Sequence, residues 1–144
     1  KAKSVALRQA QGCEDTDTVF FGGGTPTLLE PGQVACILGA IRTRFALAPD
    51  SEVTMEANPE TVDREALEAF RVAGINRLSL GVQSFSDRLL SALGRIHDSA
   101  RALRAVGEAR EAGFENIGID LMFGLPGQTV ADWRADLVRG WRFP

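Results

Sequence analysis

Apolar and polar residues alternate along this chain in two recurring patterns. Short apolar runs between turn residues predict strands; apolar residues three and four apart predict helices. Residues 17–21 read as a buried strand. Pro31 then opens a helix where its missing N–H costs nothing, and Val34, Ile37, Leu38, Ile41 and Phe45 share one apolar face. Pro49-Asp50-Ser51 reads as a turn, and residues 52–57 as a second strand stopped by Asn58-Pro59. Thr61 or Asp63 caps the next helix, with Ala66, Leu67, Phe70 and Ala73 inward and Gly74 just past its end. Residues 75–81 form a third strand with Leu78 and Leu80 on one face. Val82-Gln83-Ser84-Phe85 leaves it toward a short helix over 87–92. Gly94-Arg95-Ile96-His97 is a loop; Asp98 caps a long helix through Ala112, and Gly113 ends it. Residues 117–122 are a fourth strand and 124–127 a turn. Thr129 to Asp132 is a capping box for a last helix with Val130, Trp133 and Leu137 on one face.

Strand, helix, strand, helix along the whole chain means a parallel sheet. A weak internal repeat supports it: residues 73–80 match residues 112–119, each copy a helix end, a glycine and an apolar strand. Such β/α units build either part of a closed barrel or an open doubly wound sheet, and the pattern favours the barrel only by showing no switch in order. Both ends look cut, with residues 3–10 reading as the tail of a helix. The expectation is an interior fragment of a longer barrel domain.

Composition narrows the function. The 144 residues are 44% apolar and 24% charged, with a net charge of −3. Basic residues alternate with acidic ones, which leaves no electrostatic footprint for nucleic acid. No apolar run reaches the ~18 residues of a membrane span, so a cytoplasmic location is the default. Cys13 and Cys36 stand far apart and form no metal motif. Nothing indicates an oligomeric state.

Parallel α/β folds work at the C-terminal ends of their strands. There the chain places Gly22, Gly23, Gly24 and Thr25 after the first strand, Glu56 and Asn58 after the second, Gln83 and Ser84 after the third, and Asp120 in the fourth. Successive glycines let a ligand reach main-chain groups, or simply make a tight turn. They fit neither the G-x-G-x-x-G nor the P-loop pattern. Glu56 is either paired structurally or receives hydroxyls or cations. Asp120, between Ile119 and Leu121, has the same ambiguity, and its neighbours predict full burial. Gln83 suits a ribose or an amide, or caps local backbone. Arg95 can clamp a carboxylate by its fork, or lie exposed. His97, the lone histidine, is structural, solvated or a ligand. Met55, Met122, Trp133 and Trp141 fit core or packing positions. Together, two acids, an amide, an arginine and a glycine loop suit a ligand with hydroxyls, a cation and a carboxylate, as an amino-acid nucleoside has.

Five segments carry a resemblance: Phe21-Gly22-Gly23-Gly24-Thr25-Pro26-Thr27, Glu56-Ala57-Asn58-Pro59, the run 76–85, Leu93-Gly94-Arg95-Ile96-His97, and the run 120–128. They resemble the radical S-adenosylmethionine superfamily, and within it the group of oxygen-independent coproporphyrinogen III oxidase (HemN) and the heme chaperone HemW. Ala57-Asn58-Pro59, Ser84, the L-G-R-x-H segment and Phe123-Gly124-Leu125-Pro126-Gly127-Gln128 resemble HemW more than the oxidases. The resemblance implies a partial (β/α)6 barrel, of which these would be strands two to five. It implies a [4Fe–4S] cluster on a C-x-x-x-C-x-x-C loop that this sequence lacks; Cys13 and Cys36 match no ligand, and a C-terminal domain would also be absent. Carried over by position, Gly23, Gly24 and Thr25 offer backbone contacts to S-adenosylmethionine, and Glu56, Gln83, Arg95 and Asp120 hold it. The implied chemistry is reductive cleavage of the sulfonium to a 5′-deoxyadenosyl radical. The implied role is binding heme for delivery to membrane respiratory proteins, with oxidative decarboxylation of a porphyrinogen as the alternative. An unrelated barrel enzyme binding phosphate on its glycine loop is the remaining reading.

Overall fold

The computed structural model describes residues 16–142. The helix expected over 3–10 lies outside them. Four strands, β1 (Thr16–Phe21), β2 (Leu47–Ala57), β3 (Arg77–Gln83) and β4 (Asn116–Leu121), alternate with helices α1 (Pro31–Arg44), α2 (Arg64–Ala73), α3 (Asp87–Ala92), α4 (Ser99–Glu111) and α5 (Val130–Trp141). All neighbouring strands pair in parallel, in the order β1-β2-β3-β4. That order decides between the two architectures. A doubly wound sheet needs a point where strand order reverses; here each strand lies beside its predecessor, as in a barrel wall.

Register sorts the side chains into two faces. Val53 and Met55 align with Val19 and Phe21, Met55 and Ala57 with Leu78 and Leu80, and these with Ile117 and Ile119. This apolar face packs under Val34 and Leu38 of α1, Leu67 and Phe70 of α2, and Ala102, Val106 and Ala109 of α4. The intervening positions, Glu52, Thr54, Glu56, Arg77, Ser79, Asn116, Gly118 and Asp120, fall on the opposite face, because successive side chains of a strand point to opposite sides.

Several boundaries differ from the sequence reading. Pro49-Asp50-Ser51 is not a turn. β2 starts at Leu47, and the stretch bulges out of the ladder between the pairs Thr16–Leu47 and Thr18–Glu52. At a bulge no ladder hydrogen bond is demanded of Pro49, so its fixed φ is compatible with the strand. β3 begins at Arg77 and runs on to Gln83. Asp63, not Thr61, caps α2, accepting from the Ala66 N–H at 2.8 Å.

The apolar faces expected on the outer elements are only partly buried. Phe20 is 60% exposed, and Ile37, Val130, Leu137 and Trp141 are exposed as well. Met122 also lies at the surface, whereas Met55 is in the core. The physical reason is position. Phe20 aligns with Thr54 and so falls on the face opposite the helices, and β1 and β4 are the outer strands of the described sheet, so helices beside them have a packing partner on one side only. What α5 buries is polar: Asp136.

The capping box at α5 is present. The Thr129 hydroxyl accepts from the Asp132 N–H at 3.1 Å, and the Asp132 carboxylate accepts from the Thr129 N–H and from Arg88, at 2.8 and 2.9 Å. The Thr129 amide, then its hydroxyl, and to a lesser degree Arg88, hold the Asp132 carboxyl below the ordinary aspartate value. A lowered folded-state value stabilises fully above the unfolded-chain pKa, and that contribution is lost as pH falls through the folded one. An NMR titration of the Asp132 carboxyl carbon should therefore give a midpoint below that of an unfolded-chain aspartate; a midpoint at or above it would contradict the cap's role.

Candidate functional site

The polar face of the sheet opens, at the strand C-termini, into a cleft. Gly24, Glu56, Gln83, Arg95 and Asp120 line it, joined by Asn58 and Ser79.

The glycine loop forms one wall. Gly23 and Gly24 have φ of +85° and +77°, the left-handed region that side chains resist. Gly22 is held to glycine by space: a Cβ there would lie 2.4 Å from Cε1 of Phe20 and 3.0 Å from Oε2 of Glu56. The loop then tightens into a 3₁₀ turn, Pro26–Leu28, whose first carbonyl, that of Thr25, accepts from the Leu28 N–H at 3.1 Å.

Three charged side chains face the cleft, and each is oriented by a neutral partner. Glu56 Oε2 accepts from the Gly23 N–H at 3.1 Å. Asp120 takes the Ser79 hydroxyl between its two oxygens, at 3.0 and 2.9 Å. Arg95 Nη1 donates to Asn58 Oδ1 at 3.2 Å. One layer deeper the pattern changes. Arg77 Nε lies 3.7 Å from Glu52, and Thr54 donates to the same carboxylate at 2.9 Å, so charge is matched by charge.

Asp120 is exposed, not buried as its neighbours suggested. Ile119 and Leu121 point to the helix-covered face, and strand alternation turns Asp120 the other way. Gln83 is the one non-glycine with positive φ among the described residues, at +68°. Its Nε2 lies 2.9 Å from where a Cβ on Gly81 would stand. Gly23 and Thr25 flank the cleft instead of lining it: the Gly23 N–H and the Thr25 carbonyl are already engaged. His97 is buried and structural. Its Nδ1 meets Glu60 Oε2 at 2.7 Å and its Nε2 meets the Val82 carbonyl at 3.2 Å, which pins the loop that carries Arg95.

Ser79 and Gly81 escaped the sequence reading. The signal for them was present, since β3 alternates Leu78, Leu80, Val82 with Arg77, Ser79, Gly81. Among the described residues no group of His, Cys, Asp and Glu could hold a metal ion; Cys36 is exposed on α1 and Cys13 lies outside them. The cleft can therefore bind a cation and hydroxyls through two carboxylates, and a carboxylate through Arg95.

Comparison with known proteins agrees with the parallel β/α architecture. The model of the Radical SAM superfamily matches residues 4–138. The chain is 46% identical over 133 residues to radical S-adenosyl methionine domain-containing protein 1, mitochondrial, of Mus musculus, covering 92% of this chain and 30% of that protein. It is 46% identical over 128 residues to the heme chaperone HemW of Escherichia coli (strain K12), covering 89% and 34%. Among solved structures it resembles coproporphyrinogen III oxidase (HemN) of Escherichia coli, described as a radical SAM enzyme. The TM-score is 0.76 and the identity 34%, covering 87% of this chain and 29% of that one. The chain thus spans about a third of the length of the relatives it matches.

Gly81→Ala tests the cleft's internal fit. The new methyl would stand 2.9 Å from Gln83 Nε2 and 3.0 Å from Asn58 Oδ1. Overpacking of this kind costs about 1–3 kcal/mol. A crystal structure of the variant should show the Gln83 amide swung aside and the Arg95–Asn58 bond broken; an unmoved cleft would contradict this account.

Proposed function

The chain belongs to the radical SAM superfamily, and on that premise we propose that its cleft cradles S-adenosylmethionine in a HemW-like heme chaperone. Membership implies S-adenosylmethionine and a [4Fe–4S] cluster as the family's cofactors. The observation that carries the cofactor assignment is the convergence of Gly24, Glu56, Gln83, Arg95 and Asp120 on one cleft, with neutral groups as the partners of its three charged side chains.

The donor set fits that molecule. Asp120, steadied by Ser79, and Gln83 suit the ribose hydroxyls. Glu56 suits the ammonium or the sulfonium, and Arg95 the carboxylate. Gly22 and Gly81 let Glu56 and Gln83 lie where a Cβ would displace them. Bound to a reduced cluster, S-adenosylmethionine would supply radical chemistry by reductive cleavage of its sulfonium; this chain's residues would bind and orient it. The described residues hold no ligand set for the cluster. In our reading this chain is the interior of one barrel domain, and the cluster thiolates and a C-terminal domain belong to other parts of the whole protein.

The chaperone reading rests on relatives. The heme chaperones HemW of Escherichia coli (strain K12) and Bacillus subtilis (strain 168) are 46% and 47% identical to this chain. We extend it to heme or porphyrin as the bound partner, to membrane respiratory proteins as recipients, and to a cytoplasmic location. Among the described residues no helix is long and apolar enough to cross a membrane.

Two measurements on the whole protein, cluster loaded under anaerobic conditions, test this. In the first, Arg95→Ala should weaken S-adenosylmethionine binding about 10- to 100-fold, as expected for losing a hydrogen-bonded charge; unchanged affinity would remove Arg95 from the site. In the second, heme should bind stoichiometrically while coproporphyrinogen III, given S-adenosylmethionine and a reductant, stays unchanged. Decarboxylation to protoporphyrinogen would make the protein an oxidase instead.

A further inference from the structure

The turn that presents Gln83 is held by buried groups that do not themselves reach the cleft. With φ at +68°, Gln83 occupies a backbone region that only glycine enters without strain. Such a conformation persists only where its surroundings over-determine it. Here the surroundings are specific. Asp136, 2% exposed on α5, accepts from the Phe85 N–H at 2.7 Å and from the Ser84 hydroxyl at 2.8 Å. The Ser84 oxygen in turn accepts from the Ser86 N–H at 3.1 Å. The Ser84 N–H donates to the Val82 carbonyl at 2.8 Å, closing the turn around Gln83, and the Met122 N–H donates to the Gln83 carbonyl at 2.9 Å.

A buried carboxylate without donors is costly. Ser84 and Phe85 can serve Asp136 only while the chain leaves β3 through this turn. Satisfaction of the carboxylate and the left-handed state of Gln83 are therefore one condition.

We propose that Asp136 is a positioning residue of the S-adenosylmethionine cleft: through Ser84 and Phe85 it fixes the turn that lays the Gln83 amide over Gly81. The proposal rests on the cofactor reading above. It makes α5, which begins beyond β4, a support of a side chain at the end of β3.

The test is a double-mutant cycle on the whole, cluster-loaded protein. Asp136→Asn retains an acceptor and the side-chain shape, so it is preferred over Asp136→Ala, which strands two buried donors. Calorimetric titration with S-adenosylmethionine should show Asp136→Asn binding about tenfold more weakly than wild type, the scale of one charge-assisted hydrogen bond. In a Gln83→Ala background the same change should cost nothing further, because Asp136 acts through Gln83. An equal loss in both backgrounds would overturn the proposal and leave Asp136 a general packing residue.

A second arm needs no cofactor. Glycine accepts the left-handed conformation, so Gln83→Gly should restore much of the melting temperature that Asp136→Asn loses. No recovery would overturn the clamp. If wild-type protein fails to bind S-adenosylmethionine, the functional reading falls, and this rescue alone decides whether Asp136 holds the turn.

Discussion

The structure depends on one constraint: a strand must send successive side chains to opposite faces of its sheet. In four parallel strands laid side by side in chain order, that rule separates the molecule's two tasks. Positions such as Val53, Met55, Leu78 and Leu80 meet α1, α2 and α4 and make the core. The positions between them take the other face, where Glu56, Ser79 and Asp120 line the cleft and Glu52, Thr54 and Arg77 bind one another. Stability and function thus share every strand without competing for the same residue.

Within the polar face, the partners of each charge differ with depth. Lower down, Glu52 and Arg77 satisfy one another, helped by Thr54. At the cleft, Glu56, Asp120 and Arg95 are steadied by a backbone N–H, a hydroxyl and an amide oxygen. Neutral partners fix direction and leave charge for a ligand. Space is handled in the same way. At Gly22 and Gly81 a methyl group would touch Glu56 or Gln83, so the small residues protect the placement of the large polar ones.

What was legible in the sequence was mostly local. Asp98 and the Thr129–Asp132 box announce their helices because a cap and the amide it accepts from lie three residues apart. The glycine loop and the strand-end polar residues were visible as candidates, and their spacing carried the family resemblance. Errors arose where a residue's surroundings come from elsewhere. Asp120 between two apolar neighbours looked buried, yet those neighbours face the other way. Ile37 and Leu137 fit helical apolar stripes but flank the outer strands. Pro49 looked like a turn until β1 supplied a ladder for β2 to bulge from.

By itself, then, the sequence determined the elements, their parallel β/α grouping and the chemical kinds of residue at the strand ends, because periodicity, caps and turn residues act over a few positions of chain. Tertiary structure alone decided the sequential strand order, which face each polar residue takes, and which partners orient it. Ser79 meets Asp120 across 41 residues, and Ser84 meets Asp136 across 52. No local pattern encodes such pairs, because they exist only once neighbouring strands have set their register and α5 has packed against the exit of β3.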